Sequence, residues 1–219
     1  MSKLLMSDEY PCFCAELSRR GYIIIPTENI TVFLAPERRH ADMQALRIRE
    51  RLFTLRGCRK PIGGKYPANV RLNCLYLSET LYGNMNAADD TVLDYCRNNG
   101  IKTVHINQGY ARCSTLVVNE NAVITADKSV EAAMIRNGVE VLKISAGHIR
   151  LSGFDYGFIG GASCTLGNTV YFFGDITKHP DFVKIKAFIR GHNSILEILC
   201  KNNPLTDIGG AVLTGEGFI

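Results

Sequence analysis

Residues 108–127 read QGYARCSTLVVNENAVITAD, and residues 132–144 read AAMIRNGVEVLKI. The first stretch is a strand-turn-strand pattern, with apolar and β-branched runs on either side of Asn119-Glu120-Asn121, polar residues suited to a tight reversal. The second passes from an amphipathic helix through Arg136 to Gly138 and into a β-branched strand. Glycine ends a helix in the left-handed conformation at little cost, and arginine favours the negative end of the helix dipole. Together they define a unit of hairpin, helix and strand.

That unit recurs, which bears on the fold more than any short motif does. Residues 14–25 (CAELSRRGYIII), 93–106 (LDYCRNNGIKTVHI) and 186–199 (KAFIRGHNSILEIL) repeat the passage from helix to strand, with Gly21, Gly100 and Gly191 at the break. Four further hairpins are expected at 40–55, 69–84, 159–175 and 208–219, with reversals at 49–51, 78–80, 167–168 and 215–217. Aligned on mid-strand, the five hairpins place Ala45, Cys74, Cys113, Cys164 and Leu213 in one column. The expectation is a single α/β domain over residues 1–219, with five ββαβ units closed into a ring. The N-terminal helix and strand complete the fifth unit, which reduces exposed sheet edges. No helix is expected between the first two hairpins, where the Gly- and Pro-containing loop 57–67 stands instead.

Composition narrows the function classes. Apolar residues make up 46% of the 219, and the longest apolar run, Tyr22–Pro26, is strand-sized and too short to span a bilayer. No secretory signal pattern opens the chain, so a cytoplasmic protein with reduced cysteines is expected. The net charge of +4 is dispersed, and the basic stretch of Arg56, Arg59, Lys60 and Lys65 reads as a solvated loop, so neither nucleic acid nor a membrane is implied as partner. Cys12 and Cys14 form a lone CxC without further ligands at zinc spacing, and no metal is expected. Gly57–Lys65 has the wrong spacing for a P-loop, Gly157–Gly161 lacks the pattern of a dinucleotide site, and no cofactor is expected.

Five ββαβ units about a pseudo-fivefold axis resemble the penteins, the α/β-propeller fold of guanidino-group-modifying enzymes, over nearly the whole chain. Locally, NQGYARCSTLVVNENAVITAD is similar to the third-unit segment of agmatine deiminases, and IGGASCTLGNTVYFFGD to their fourth-unit segment. The chain looks like a small bacterial branch of that fold with degenerate catalytic positions. Carried over by position, the family's third-unit carboxylate falls at Gln108, its fourth-unit histidine near Gly160 or Gly161, and its nucleophilic cysteine around Val212 and Leu213. None of these can perform the expected step, so the resemblance implies a pentein without the usual Cys-His hydrolase set.

In that fold the ligand sits at the axis, against residues that open the hairpins. Here the opening residues are His40, Asn69, Gln108, Ile159 and Ile208, and those two positions on are Asp42, Arg71, Tyr110, Gly161 and Gly210. Placed on strands, both sets face one side. The expected ligand-binding residues are therefore His40, Asp42, Asn69, Arg71, Gln108 and Tyr110. Asp42 and Arg71 either hold the two ends of a zwitterion or bridge each other. The glycines leave room for a ligand or for another backbone. Cys164, with His148 or His40, is the candidate for a displaced catalytic pair, against its reading as a buried small hydrophobe. His179 and His192 read as surface positions. The leading expectation is a binder of a small polar metabolite, an amino acid or guanidino compound. The alternatives are a guanidino-modifying hydrolase or amidinotransferase, and a macromolecular adaptor like the ribosome anti-association factors.

Overall fold

The structure, a computed structural model, describes residues 1–215, whose strands fall into five small sheets. Three are built alike. β5 (Leu75–Leu77) and β6 (Thr80–Gly83) form an antiparallel hairpin, α3 (Asp90–Asn98) follows, and β7 (Lys102–His105) returns parallel to β6. The same order runs through β8 (Thr115–Asn119), β9 (Ala122–Thr125), α4 (Lys128–Arg136) and β10 (Glu140–Lys143). It runs again through β11 (Ser163–Leu166), β12 (Thr169–Asp175), α5 (Phe182–Gly191) and β13 (Ile195–Pro204).

The next sheet is shared between the two ends of the described chain. β14 (Ala211–Gly215) pairs antiparallel with β1 (Lys3–Met6), matching Leu213 to Leu4, and β2 (Ile23–Pro26) runs parallel to β1 after α1 (Pro11–Arg19). The hairpin expected over residues 208–219 has its reversal and second strand outside the described residues; within them β14 is paired by β1. The Leu-Leu-Met run that forms β1 carries no turn signal beside it. The remaining sheet is the pair β3 (Ala45–Ile48) and β4 (Arg51–Thr54), preceded by the short helix α2 (Ala41–Gln44). As expected, no α-helix follows it before the second hairpin.

The helix stops follow the sequence with one exception. Gly100 and Gly138 adopt φ of +65° and +79°, but Gly191 remains the last residue of α5, and the left-handed position is Asn193, at φ 57°. The short polar side chain of asparagine tolerates that conformation.

Each helix buries an apolar face between two sheets. Val92 and Cys96 of α3 pack with Ile48 and Phe53 of the first hairpin and Leu81 of the second. Val130 and Met134 of α4 meet Leu77 and Val123, Ile185 and Ile189 of α5 meet Ile124 and Phe172, and Phe13 and Leu17 of α1 meet Phe173 and Met6. Each large side chain so buried is worth roughly 1.5–3 kcal/mol. Between β3–β4 and β14–β1 there is only a small cluster, Ala41, Ala45 and Val212 with Leu5 and Leu52. Among the described residues no strand hydrogen bonds join one sheet to the next. The first strands touch instead, β3 lying against β14 and β5, and β11 against β8 and β14.

Two further expectations are corrected. Cys12 and Cys200 are joined in a disulfide between α1 and β13, Cα atoms 6.4 Å apart and 188 residues apart in sequence, so not every cysteine is free. His179 is buried, because the segment after β12 folds it inward, where its Nδ1 accepts the backbone N–H of Asp181 at 3.1 Å. The basic stretch of the loop is indeed at the surface, Arg56 pairing with Glu28, Arg59 with Asp94 and Lys60 with Asp90. Among the described residues no helix is long and apolar enough to cross a membrane.

Candidate functional site

The residues that open the hairpins are in turns and in α2, not on strands. The alternation that put His40 and Asp42 on one strand face therefore does not apply: His40 is the N-cap of α2 and Asp42 lies in its first turn. Both are nevertheless buried, because the peptide of Asp42 is pinned by donating its N–H to Gly209 O at 3.1 Å.

Asp42 is the centre of a buried polar cluster. Its Oδ2 accepts the Cys113 thiol at 2.9 Å, and its Oδ1 is buried without a partner. Burial pushes its carboxyl up from 3.8 to about 6; His40 and Arg112 nearby favour the charged form, while Asp207 opposes it. The Cys113 thiol is driven well above its usual range by burial and by the carboxylates of Asp42 and Asp207, so it is a protonated donor here. Asn73 frames the pair. Its Nδ2 lies 2.9 Å from Cys113 Sγ and 3.2 Å from Asp42 O, and its Oδ1 accepts the backbone N–H groups of Arg112 and Cys113 at 3.0 and 3.2 Å.

Two more carboxylates complete the cluster. Asp207 is buried, accepts the N–H groups of Phe158 and Gly209 at 2.8 and 3.0 Å, and has Oδ1 3.9 Å from His40 Nδ1. Glu37, in a 3-10 turn over Ala35–Glu37, is buried, and that burial raises its carboxyl. It accepts Asn69 Nδ2 at 3.4 Å, and the same amide donates to Tyr110 OH at 2.8 Å. Asn69 Oδ1, like Asp42 Oδ1, is buried with no partner. Unpaired buried acceptors are costly, and what they can take is a donor.

Of the residues expected at the site, His40, Asp42, Asn69 and Tyr110 are brought together; Arg71 and Gln108 are not. The Arg71 guanidinium donates to Pro61 O at 3.0 Å and Ala87 O at 2.9 Å, strapping the loop 57–67 to the second unit, and it does not pair with Asp42. Gln108 donates to Asp127 Oδ2 at 2.9 Å and accepts the N–H of Tyr110 at 3.0 Å; Asp127 is the N-cap of α4, so the amide buttresses a helix start. Gln108 does line a cleft of about 100 Å³ with Asp127, Ser145 and Tyr156.

The glycines resolve toward close packing. A Cβ on Gly161 would overlap the Asp207 carboxylate, and one on Gly160 the carbonyls of Arg112 and Thr115. Cys164 packs with Leu166, Tyr171 and Phe173, and burial pushes its thiol up to about 12, which favours the buried-hydrophobe reading. His148 stands edge-on to His179, ring centres 5.6 Å apart, and neither it nor His40 bonds Cys164. Glu37, Asn73, Arg112, Cys113 and Asp207 were not foreseen as site residues. Asp207, next to the opening residue Ile208, carried a positional signal; Glu37 carried none.

Residues 51–212 match the model of a protein family described as a family of unknown function, DUF6873. The chain belongs to the DUF6873 family. Among curated proteins none matches it in sequence. In three dimensions this DUF6873 member is similar to DDAH from Pseudomonas aeruginosa, a serine-for-cysteine variant in complex with citrulline. The TM-score is 0.59 at 7% identity, over 96% of this chain and 98% of that one. It is equally similar (TM-score 0.59, 7% identity, the same coverage) to a dimethylarginine dimethylaminohydrolase with glycine in place of a histidine, an adduct with S-methyl-L-thiocitrulline. The likeness gives this DUF6873 member the pentein fold.

Proposed function

We propose that this protein binds a small cationic metabolite, an amine or a guanidino compound, at the cluster of Glu37, Asp42, Asp207, His40 and Asn69. In this reading the five sheets are the blades of an α/β propeller and the cluster is its hub. The observation that carries it is the pair of buried, unpartnered acceptors, Asp42 Oδ1 and Asn69 Oδ1, among three buried carboxylates. A ligand with several N–H donors satisfies both acceptors and supplies the countercharge; hydrogen bonds to charged groups are worth about 1.5–3 kcal/mol each. An ammonium or guanidinium has that donor set; a neutral sugar or an anion does not.

Hydrolysis through a cysteine is not part of this reading. A nucleophilic cysteine works as the thiolate, whereas Cys113 and Cys164 both hold their protons far above neutrality. One observation keeps a guanidino-modifying activity as a second reading. Cys113 Sγ lies 2.9 Å from Asp42 Oδ2, so proton transfer to that carboxylate needs no movement once a cationic ligand stabilises the thiolate.

The test is a thermal-shift series with agmatine, arginine, dimethylarginine and citrulline, since a ligand that binds only the folded form raises the melting temperature. Cationic members raise it, and Asp42→Asn abolishes the rise while the variant stays folded. No shift with any of the four overturns the binding reading. Release of ammonia or an alkylamine from these compounds, lost in Cys113→Ala, replaces it with the enzymatic one.

A further inference from the structure

From one turn of backbone, both of whose N–H groups are held by Asn73, the side chains of Cys113 and Arg112 part company. Cys113 goes to Asp42. Arg112 goes to a separate pocket of about 180 Å³, walled by the first strands of four sheets: Leu46 of β3, Leu75 of β5, Leu166 of β11 and Val212 of β14. The only charged side chains among its described lining residues are Arg112 and Arg47. We propose that this pocket is an oxyanion site, in which Arg112 takes the carboxylate or phosphate group of a small ligand and Arg47 closes its edge.

The two arginines differ in what already engages them. Arg47 is fixed at the edge: its Nε donates to Arg49 O at 2.9 Å, its Nη1 reaches across to Leu213 O at 3.3 Å, and its Nη2 pairs with the exposed Glu50 at 2.9 Å. Arg112 makes a single side-chain hydrogen bond, Nη1 to Thr115 O at 3.3 Å, and no ion pair among the described residues. Asp42, whose charged form it favours, is bonded to Cys113 instead. A half-buried guanidinium thus faces the pocket with most of its five donors uncommitted, beside apolar walls that strengthen any charge interaction made there. Its planar fork matches the two oxygens of a carboxylate or phosphate. The volume suits a small oxyanion with its waters rather than a drug-sized molecule, for which sites run to roughly 300–1,000 Å³.

This site is distinct from the acidic cluster and its occupant has the opposite charge, so the two proposals fail separately. Titration calorimetry of the full chain with inorganic phosphate and with succinate, at constant ionic strength against a chloride control, measures it directly. Saturable binding of phosphate alone assigns a phosphoryl ligand, and of succinate alone a carboxylate ligand. Arg112→Gln weakens binding by at least about tenfold and Arg47→Gln by about two- to fivefold, because the first removes an uncommitted charged donor and the second one already shared. Should Arg112→Gln fail to fold, phenylglyoxal labelling of the native protein decides. Phosphate or succinate then protects the peptide carrying Arg112 while Arg56 and Arg97 label as before. No saturable binding of either anion, unchanged affinity in folded Arg112→Gln, or protection spread evenly over the arginines overturns the inference. An agmatine-dependent thermal shift that persists alongside any of those results leaves the cation site standing.

Discussion

Cys113 and Cys164 fall in one column when the hairpins are aligned by sequence, yet in the structure they stand at different places, Cys113 ahead of its strand in a polar cluster and Cys164 on its strand in apolar packing. Both are buried, and both thiols are pushed up by burial. Cys113, two residues before β8, touches Asp42 and Asn73 at 2.9 Å. Cys164, the second residue of β11, lies among Leu166, Tyr171, Phe173 and Ile208. The difference comes from the units alongside. The turns that lead into β3 and β5 carry Asp42 and Asn73, whereas Gly160 and Gly161 lead into β11 and admit backbone carbonyls and the Asp207 carboxylate too closely for any side chain. Positions aligned by sequence in a repeating chain therefore tell little about chemistry until their place relative to the strand and their neighbours are known.

The largest way to sharpen this contrast is through pH. Asp42 titrates near 6 in the folded protein against 3.8 ordinarily, so the fold holds its proton the more tightly. The stability this confers is complete below about pH 4 and is lost as the pH rises through about 6, a change on the order of 3 kcal/mol. Denaturant titrations at a series of pH values should show that fall in the wild type, and Asp42→Asn should flatten it; an unchanged slope would mean that Asp42 is not the titrating group.

Serine substitution of the two cysteines comes next. Cys164→Ser buries a hydroxyl among apolar side chains and should cost about 2 kcal/mol in chemical denaturation. Cys113→Ser keeps a donor for Asp42 and an acceptor for Asn73, and should cost less than about 1 kcal/mol by the same measurement. Equal losses would erase the distinction drawn above. The smallest expected effect is a null one. Iodoacetamide at neutral pH should leave both thiols unmodified in the native protein, with Cys14 and Cys58, which are partly exposed, labelled first. Fast, selective labelling of Cys113 would favour the enzymatic reading.

Much of the fold was legible because its signals are local. The reversals at Arg49-Glu50, Ser78-Glu79 and Gly167-Asn168 lie between paired strands as the polar pattern predicts, and Arg49, Ser78 and Glu79 adopt the positive φ of tight turns. The missing helix after β4 was announced by glycines and prolines that would break one. The candidate site was legible only in part. His40, Asp42, Asn69 and Tyr110 followed from their shared place at the head of a hairpin, while Arg71 and Gln108, placed by the same rule, bond within their own surroundings instead of joining the cluster. A side chain long enough to reach a carbonyl or a helix cap in its own unit is used there, and the pattern of the unit does not record it. Glu37, in a 3-10 turn outside any repeat, had no periodicity to reveal it.

By itself, then, the sequence determined the order of hairpins and helices, since propensity, turn chemistry and apolar periodicity act over a few residues. Only the tertiary structure decided which strand β14 would take as partner, that Cys12 and Cys200 meet, and that Asp42 faces a thiol rather than an arginine. Those outcomes depend on groups as far apart in the chain as Leu4 and Leu213 being desolvated together. The free energy of a buried charge or an unpaired acceptor is set by every group around it at once, and no local stretch of chain carries that information.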